Sequence, residues 1–287
     1  MHLNFHFTPV LILWTLTMAA LLVLLVVLFG RDRARRFPIF TAAMAMMAFR
    51  MVASRLLLSR LSMIASSTVF LVLADVAAIL TLLIAVEIAR LGFQGVNRKA
   101  WMIAPPIMVV IAGAVVALWG PWPAIQTLFS SSLVSVLRLM QLAAQKLDLL
   151  TDILTIQLGL LIALFGNRFH AGWRSHPQQL VIGLSAASFA QLAVRGIWQM
   201  IALHTTIHAQ DDYLRVMGIE EKLSNANNAI FFAVLIWWIA WLWFDEPGAA
   251  VEVPVAATAA GEVAQLEAPA VTEDSAASPE ASSEETR

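Results

Sequence analysis

The chain has 287 residues, of which 60% are hydrophobic and only 13% charged, and its mean hydropathy is +0.79. A soluble domain carries nearer ~25% charged residues, so the composition excludes an ordinary soluble globule and points to a multi-pass protein of the cell membrane, in a bacterium the inner membrane. The absence of cysteine excludes disulfides, thiolate zinc sites, iron–sulfur clusters and cysteine nucleophiles. The net charge of −1 hides a division: residues 1–246 hold 17 Lys/Arg against 11 Asp/Glu, and residues 247–287 hold one Arg against eight acids.

A spanning helix needs about 20 apolar residues. By that measure the spans fall at about 8–29, 38–60, 67–89, 101–119, 147–166, 179–203 and 226–244. The expected fold is an all-α, seven-transmembrane-helix bundle over residues 1–246. The first run is too long for a signal-peptide core and no Lys or Arg precedes it, so it reads as a retained helix in a protein that starts at or near Met1. Pro105 and Pro106 are expected in the first turn of the fourth span, where a missing N–H costs nothing.

Orientation follows from the basic residues of the short loops. Arg31, Arg33, Arg35, Arg36, Arg90, Arg98, Lys99, Arg168 and Arg174 lie on one side, and Arg60, Arg138, Lys146, Arg215 and Lys222 on the other. The first and larger set belongs in the cytoplasm, which puts the N-terminus outside and the C-terminus inside. Residues 120–146 leave the fourth span through Gly120-Pro121-Trp122-Pro123 and then repeat apolar residues at helical spacing. They are expected to form an outer interfacial helix or an extension of the fifth span. The polar connection 204–225 is expected to hold a short helix around Tyr213 to Leu223. The tail, 247–287, is an acidic Ala-, Pro-, Glu- and Ser-rich segment without aromatic residues, a composition expected to be disordered in the cytoplasm.

Charges inside the apolar runs mark the candidate site, because each costs at least ~2.5–3.5 kcal/mol at bilayer depth and must face protein or water. At 1.5 Å rise per residue, Arg50 and Arg55 lie about 18 and 25 Å above the cytoplasmic start of the second span. Asp75 lies about 12 Å down the third span from outside, and Asp152 about 8 Å down the fifth. Gln191 and Arg195 lie about 18 and 24 Å up the sixth, with Gln199 above them. Helices of opposite direction thus bring their polar groups to one outer-half layer, which Ser54, Ser59, Ser62, Ser66 and Ser67 enrich.

Two readings fit this layer. In one, Arg50, Arg55 and Arg195 line a water-accessible pocket, with Asp75, Asp152 and Gln191, and meet a small polar or anionic ligand through their planar donor forks. In the other, the charges cancel, Arg55 with Asp75 and Arg195 with Asp152, and hold the helices in register. Glu87 and Arg90 have i,i+3 spacing, so they can pair with each other or meet Arg31–Arg36, and a solvated interfacial pair is the expected form.

The six histidines (His2, His6, His170, His176, His204 and His208) all fall at membrane edges or in loops. Haem b, which needs facing histidines within the bilayer, is therefore not expected. Retinal is not expected either, since a Schiff base needs a lysine inside the bundle and Lys99, Lys146 and Lys222 all lie in loops. His204 and His208, followed by Asp211 and Asp212, are weak candidates for a surface metal site, against the plainer reading of a solvated loop. No other cofactor and no nucleic-acid partner is expected. Trp173 within residues 165–176, and Trp237, Trp238, Trp241 and Trp243, read as anchors at the headgroup level.

Glu87 closing the third span, Gln157 in the fifth, and the Gly172-Trp173-Arg174-x-His176 stretch before the sixth resemble uncharacterised seven-helix membrane proteins of acidobacterial type. The resemblance covers most of residues 1–246, implies the topology and carries no activity.

The reading that best joins these features is a receptor-like, sensory membrane protein, with an outer ligand and a separate cytoplasmic or membrane partner. The alternatives are a small transporter using the arginines, or an accessory subunit of a larger complex. Asp75, Asp148 and Asp152 could serve as acids, but no catalytic spacing surrounds them, so an enzyme is not expected.

Overall fold

The computed structural model describes residues 9–57, 62–92, 98–120, 122, 133–165, 175–205 and 210–245. The acidic tail, His208 and most of the loop around Trp173 lie outside the described residues. The described residues are all-helical and without strands. In chain order the helices are α1 (Pro9–Gly30), α2 (Arg33–Arg36), α3 (Pro38–Leu57), α4 (Met63–Gly92), α5 (Arg98–Leu118), α6 (Leu133–Phe165), α7 (His176–His204) and α8 (Gln210–Trp243). They belong to one compact unit, Met1–Glu246.

Six helices are long and apolar enough to cross a membrane: α1, α3, α4, α6, α7 and α8. The apolar part of α5, Ala104–Leu118, is shorter. The protein is thus an integral membrane protein with at least this set of candidate spans. Neighbours pack in a closed circuit, α1 on α8, α8 on α7, α7 on α6, α6 on α4, α4 on α3 and α3 on α1, with α4 also touching α7. Helix α5 sits outside this circuit, packed on α6.

Some helices differ from the sequence expectation. The short helix expected near Tyr213 and the last span are one continuous α8 of 34 residues, about 51 Å long against a hydrocarbon core of about 30 Å. Nothing in 210–225 breaks a helix: Gly218 has open space around it, and a single interior glycine costs only about 1 kcal/mol. The apolar repeat after residue 133 takes the second of its two expected forms, an extension of the fifth span: it is the first third of α6, which runs 33 residues. Pro105 and Pro106 lie inside α5 rather than in its first turn, since the helix starts at Arg98. The two absent N–H groups leave the carbonyls of Trp101 and Met102 without helical donors.

The apolar core occupies one half of the bundle. Leu21, Leu24 and Leu28 of α1 interlock there with Phe40 and Met44 of α3, Ile84 and Ile88 of α4, and Leu158 and Ile162 of α6. Leu180 and Val181 of α7 and Leu235, Trp238 and Leu242 of α8 complete the cluster. All lie toward the end of the bundle that carries Arg31–Arg36, called here the basic end. Trp238, expected in a surface belt, is instead fully buried. Its ring meets Phe40 edge-on at 5.1 Å and presses on Gly183, where any Cβ would overlap the indole. Trp237 and Trp243 are exposed, as a belt requires. The exposed stripe Val72, Val76, Ile79, Leu83 and Val86 gives α4 a lipid face.

Glu87 is buried rather than solvated. Its carboxylate accepts the N–H groups of Ile39 at 3.0 Å and Phe40 at 2.9 Å. These are among the four unpaired donors that open α3, and the helix dipole favours an anion there. Helix α3 is therefore capped by a side chain from α4. The Glu87–Arg90 pair of the sequence reading gives way because two aligned backbone donors satisfy a buried carboxylate better than one flexible guanidinium. His176, expected at a membrane edge, is fully buried at the start of α7, and its Nε2 lies 3.1 Å from the carbonyl oxygen of Phe244.

Candidate functional site

The polar layer lies in the half of the bundle away from the basic end, beyond the apolar core. Helices α6 and α7 run antiparallel with small residues between them: Gly159 faces Ser185 so closely that a Cβ would collide with its hydroxyl. Ser185 donates to the Thr155 carbonyl at 3.0 Å. This close approach aligns the polar face of α7, which carries Ser188, Gln191 and Arg195 at i, i+3 and i+7, with the polar face of α6.

At the centre is a three-residue ion cluster. Arg195 donates to Asp148 Oδ2 at 3.3 Å and lies 3.7 Å from Asp152 Oδ2. It also reaches the carbonyl of Gln145 at 3.5 Å. Asp148 and Asp152 are one helical turn apart, so a single guanidinium serves both. Burial is graded: the Asp152 side chain is 9% exposed, Arg195 26% and Asp148 40%. Ser188 donates a further hydrogen bond to Asp152.

Two more helices contribute charge. Arg50 of α3 and Asp75 of α4 both act electrostatically on Asp148, the first attracting and the second repelling. Arg50 shares its helix face with Ala43, Met47 and Ser54, which are buried or half-buried, whereas the lipid stripe of α3 is Phe49, Val52 and Leu56. Arg50 is nevertheless exposed, and the described residues form no ion pair with it within 4 Å. Its guanidinium is thus left uncovered by protein on a face that otherwise packs inward.

The sequence-predicted residues therefore separate. Arg50, Asp75, Asp152 and Arg195 come together, and Gln191 is half-buried on the Arg195 face. Arg55 does not join them. Its guanidinium stacks 5.0 Å over the ring of Trp14 of α1, and the expected Arg55–Asp75 ion pair is not formed. Arg55 is near the end of α3, where Trp14 of α1 offers it an aromatic face. Asp148, which the sequence offered only as a spare acid, is the nearest partner of Arg195. Its i,i+4 spacing to Asp152 is the signal that could have revealed it.

The weak metal candidates do not assemble among the described residues, which hold no group of three or more His, Asp or Glu placed for a metal ion. His204 Nδ1 lies 2.9 Å from the Met200 carbonyl of its own helix, and Asp211 is exposed at the start of α8. Asp212 is half-buried one residue further.

At the same end, Lys146 of α6 closes α5. Its Nζ donates to the carbonyls of Trp119 at 2.5 Å and Val116 at 3.3 Å, and sits 4.4 Å over the Trp122 ring. A cation at a helix C-terminus meets unpaired carbonyls and the negative dipole end. Gly120, at φ 75, makes the left-handed turn that ends the segment. Comparisons with protein-family models, curated proteins and solved structures gave no match, so the functional reading rests on this geometry.

Proposed function

We propose that this chain is a receptor-like membrane protein of seven spans, N-terminus outside, that recognises a small polar or anionic ligand in its outer half. In this reading α5 is the seventh span, and its apolar segment crosses with the help of α6. Arg50 is the ligand's first contact. The Arg195–Asp148–Asp152 cluster is the element it perturbs, because an anion beside Arg50 competes for the guanidinium that links α6 to α7. The observation that carries the reading is the exposure of Arg50 on an inward face beside a cluster drawn from α6 and α7. Haem and retinal have no part in it, and the signal passes to a separate partner.

The transporter reading has one feature in its favour: buried Thr151, Thr155, Gln178 and Gln179 continue the polar trail along α6 and α7. Two observations weigh against it. Thr151 and Thr155 spend their hydroxyls on the carbonyls of Leu147 and Thr151, and the apolar core around Trp238 fills the half of the bundle below the layer. A blind outer pocket suits a sensor.

The test is thermal unfolding of the purified full-length protein in mild detergent with acetate, succinate, sulfate and inorganic phosphate as probes. At a hundredfold excess over Kd a ligand adds about 2.7 kcal/mol of apparent stability. At least one probe is expected to raise the unfolding temperature of the wild type, and Arg50→Gln is expected to abolish that rise while folding normally. An unshifted wild type with every probe, or an equal shift in Arg50→Gln, refutes the proposal.

A further inference from the structure

The basic end carries a surface that neither the core nor the polar layer uses. The apolar run of α1 stops at Gly30, and the chain turns at Asp32, whose φ of 54 is left-handed, into the single turn of α2. Four arginines and one aspartate follow one another here, and Asp245 at the end of α8 approaches them. Four positive against two negative charges leave the patch at +2.

The arginines are not equivalent. Arg33 turns inward, its Nη2 at 2.9 Å from Asp245, with a side chain only 13% exposed. Arg31 shares the other oxygen of Asp245 at 3.7 Å and lies 5.3 Å over the Trp243 ring. Arg35 is 87% exposed and, among the described residues, has the loose i,i+3 pair with Asp32 at 3.4 Å. Arg36 is exposed above Phe37, 5.6 Å from its ring. Directly below, Leu22, Val26 and Phe29 form an exposed strip at i, i+4 and i+7 along α1, and Trp243 and Phe244 are exposed beside it.

We propose that this patch is a binding site for an anionic phospholipid. The strip of Leu22, Val26 and Phe29 takes an acyl chain, the aromatic rings of Trp243 and Phe244 lie at the glycerol level, and the forks of Arg31, Arg35 and Arg36 hold the phosphate. Guanidinium pairs bidentately with phosphate oxygens, and a surplus of positive charge at the level where an apolar helix ends selects an anionic headgroup over a zwitterionic one. A free phosphate would use the arginines but gain nothing from the apolar strip. The inference is independent of the outer-half ligand site.

The test is lipid retention by the full-length protein released from mixed phosphatidylglycerol and phosphatidylcholine micelles, read by native mass spectrometry. Wild type is expected to retain phosphatidylglycerol preferentially. Each basic residue at an anionic surface contributes ~1 kcal/mol, so R35Q/R36Q is expected to lower the preference about 25-fold. R35K/R36K, which keeps both charges but not the bidentate forks, is expected to lose less of it than R35Q/R36Q, which separates charge from a folding defect, and R215Q at the opposite end of α8 to leave it unchanged. Equal retention of the two lipids by wild type overturns the proposal. So does an unaltered preference in R35Q/R36Q, an equal loss in R215Q, or displacement of the lipid by inorganic phosphate alone.

Discussion

Replacing Arg195 by Gln removes the cation that Asp148 and Asp152 share and leaves two carboxylates one helical turn apart. Removing one partner of a fully buried pair costs about 3–5 kcal/mol, and an exposed pair is worth about 0–1 kcal/mol. This cluster lies between those limits, because Asp152 is 9% exposed but Arg195 is 26% and Asp148 40% exposed. The expected loss is about 2 kcal/mol, or an unfolding temperature lower by about 4–8 °C for a chain of this size. Asp152→Asn alone is expected to cost less than about 1 kcal/mol, since Arg195 keeps Asp148 and the amide can still meet Ser188. The double variant R195Q/D152N is expected to be more stable than the sum of the singles implies, by about 1 kcal/mol, because the buried anion is gone along with its cation. Thermal and denaturant unfolding of all three variants in the same detergent measures the cycle. Strict additivity, with a loss below about 0.5 kcal/mol in Arg195→Gln, would show a solvated surface pair and refute the ion cluster as a link between α6 and α7.

Three further outcomes follow from the packing. Gly183→Ala is expected to cost about 1–3 kcal/mol by driving a methyl into the Trp238 indole. Gly113→Ala, with open space around it, is expected to be neutral or stabilising by up to about 1 kcal/mol, so equal thermal stability of these two variants would contradict the packing. Glu87→Ala is expected to destabilise by about 2–3 kcal/mol through loss of two charge-assisted bonds. Its specific mark is faster hydrogen exchange at the Ile39 and Phe40 amides. Lys146→Met removes the cap of α5 and the stacking on Trp122, worth about 1–2 kcal/mol together. Proteolysis or exchange confined to 116–122 is the expected readout, and unchanged protection there would remove Lys146 as the clamp between α5 and α6.

Helix existence was legible in the sequence because an apolar run of about 20 residues has few other stable forms in a bilayer. The same logic made the polar layer legible: rise per residue and alternating direction give depth without any knowledge of packing. Continuity of α8 was not legible, since polar composition in 210–225 looks like a loop when read for hydropathy alone, although it contains no strong helix breaker.

Depth along the axis is a property of one helix, whereas facing is a property of two. Sequence therefore placed Arg50, Asp75, Asp152 and Arg195 at a common height, but only the tertiary structure chose Asp148 as the closest partner of Arg195 and sent Arg55 to Trp14. The rotation of each helix about its axis depends on how closely its neighbours approach, and here that approach is set by Gly159 against Ser185 and Gly183 against Trp238. Glu87 shows the same limit. Its spacing to Arg90 is visible in one dimension, but the backbone donors of Ile39 and Phe40 reach it only when α3 and α4 pack, and a buried carboxylate takes the partners that packing supplies.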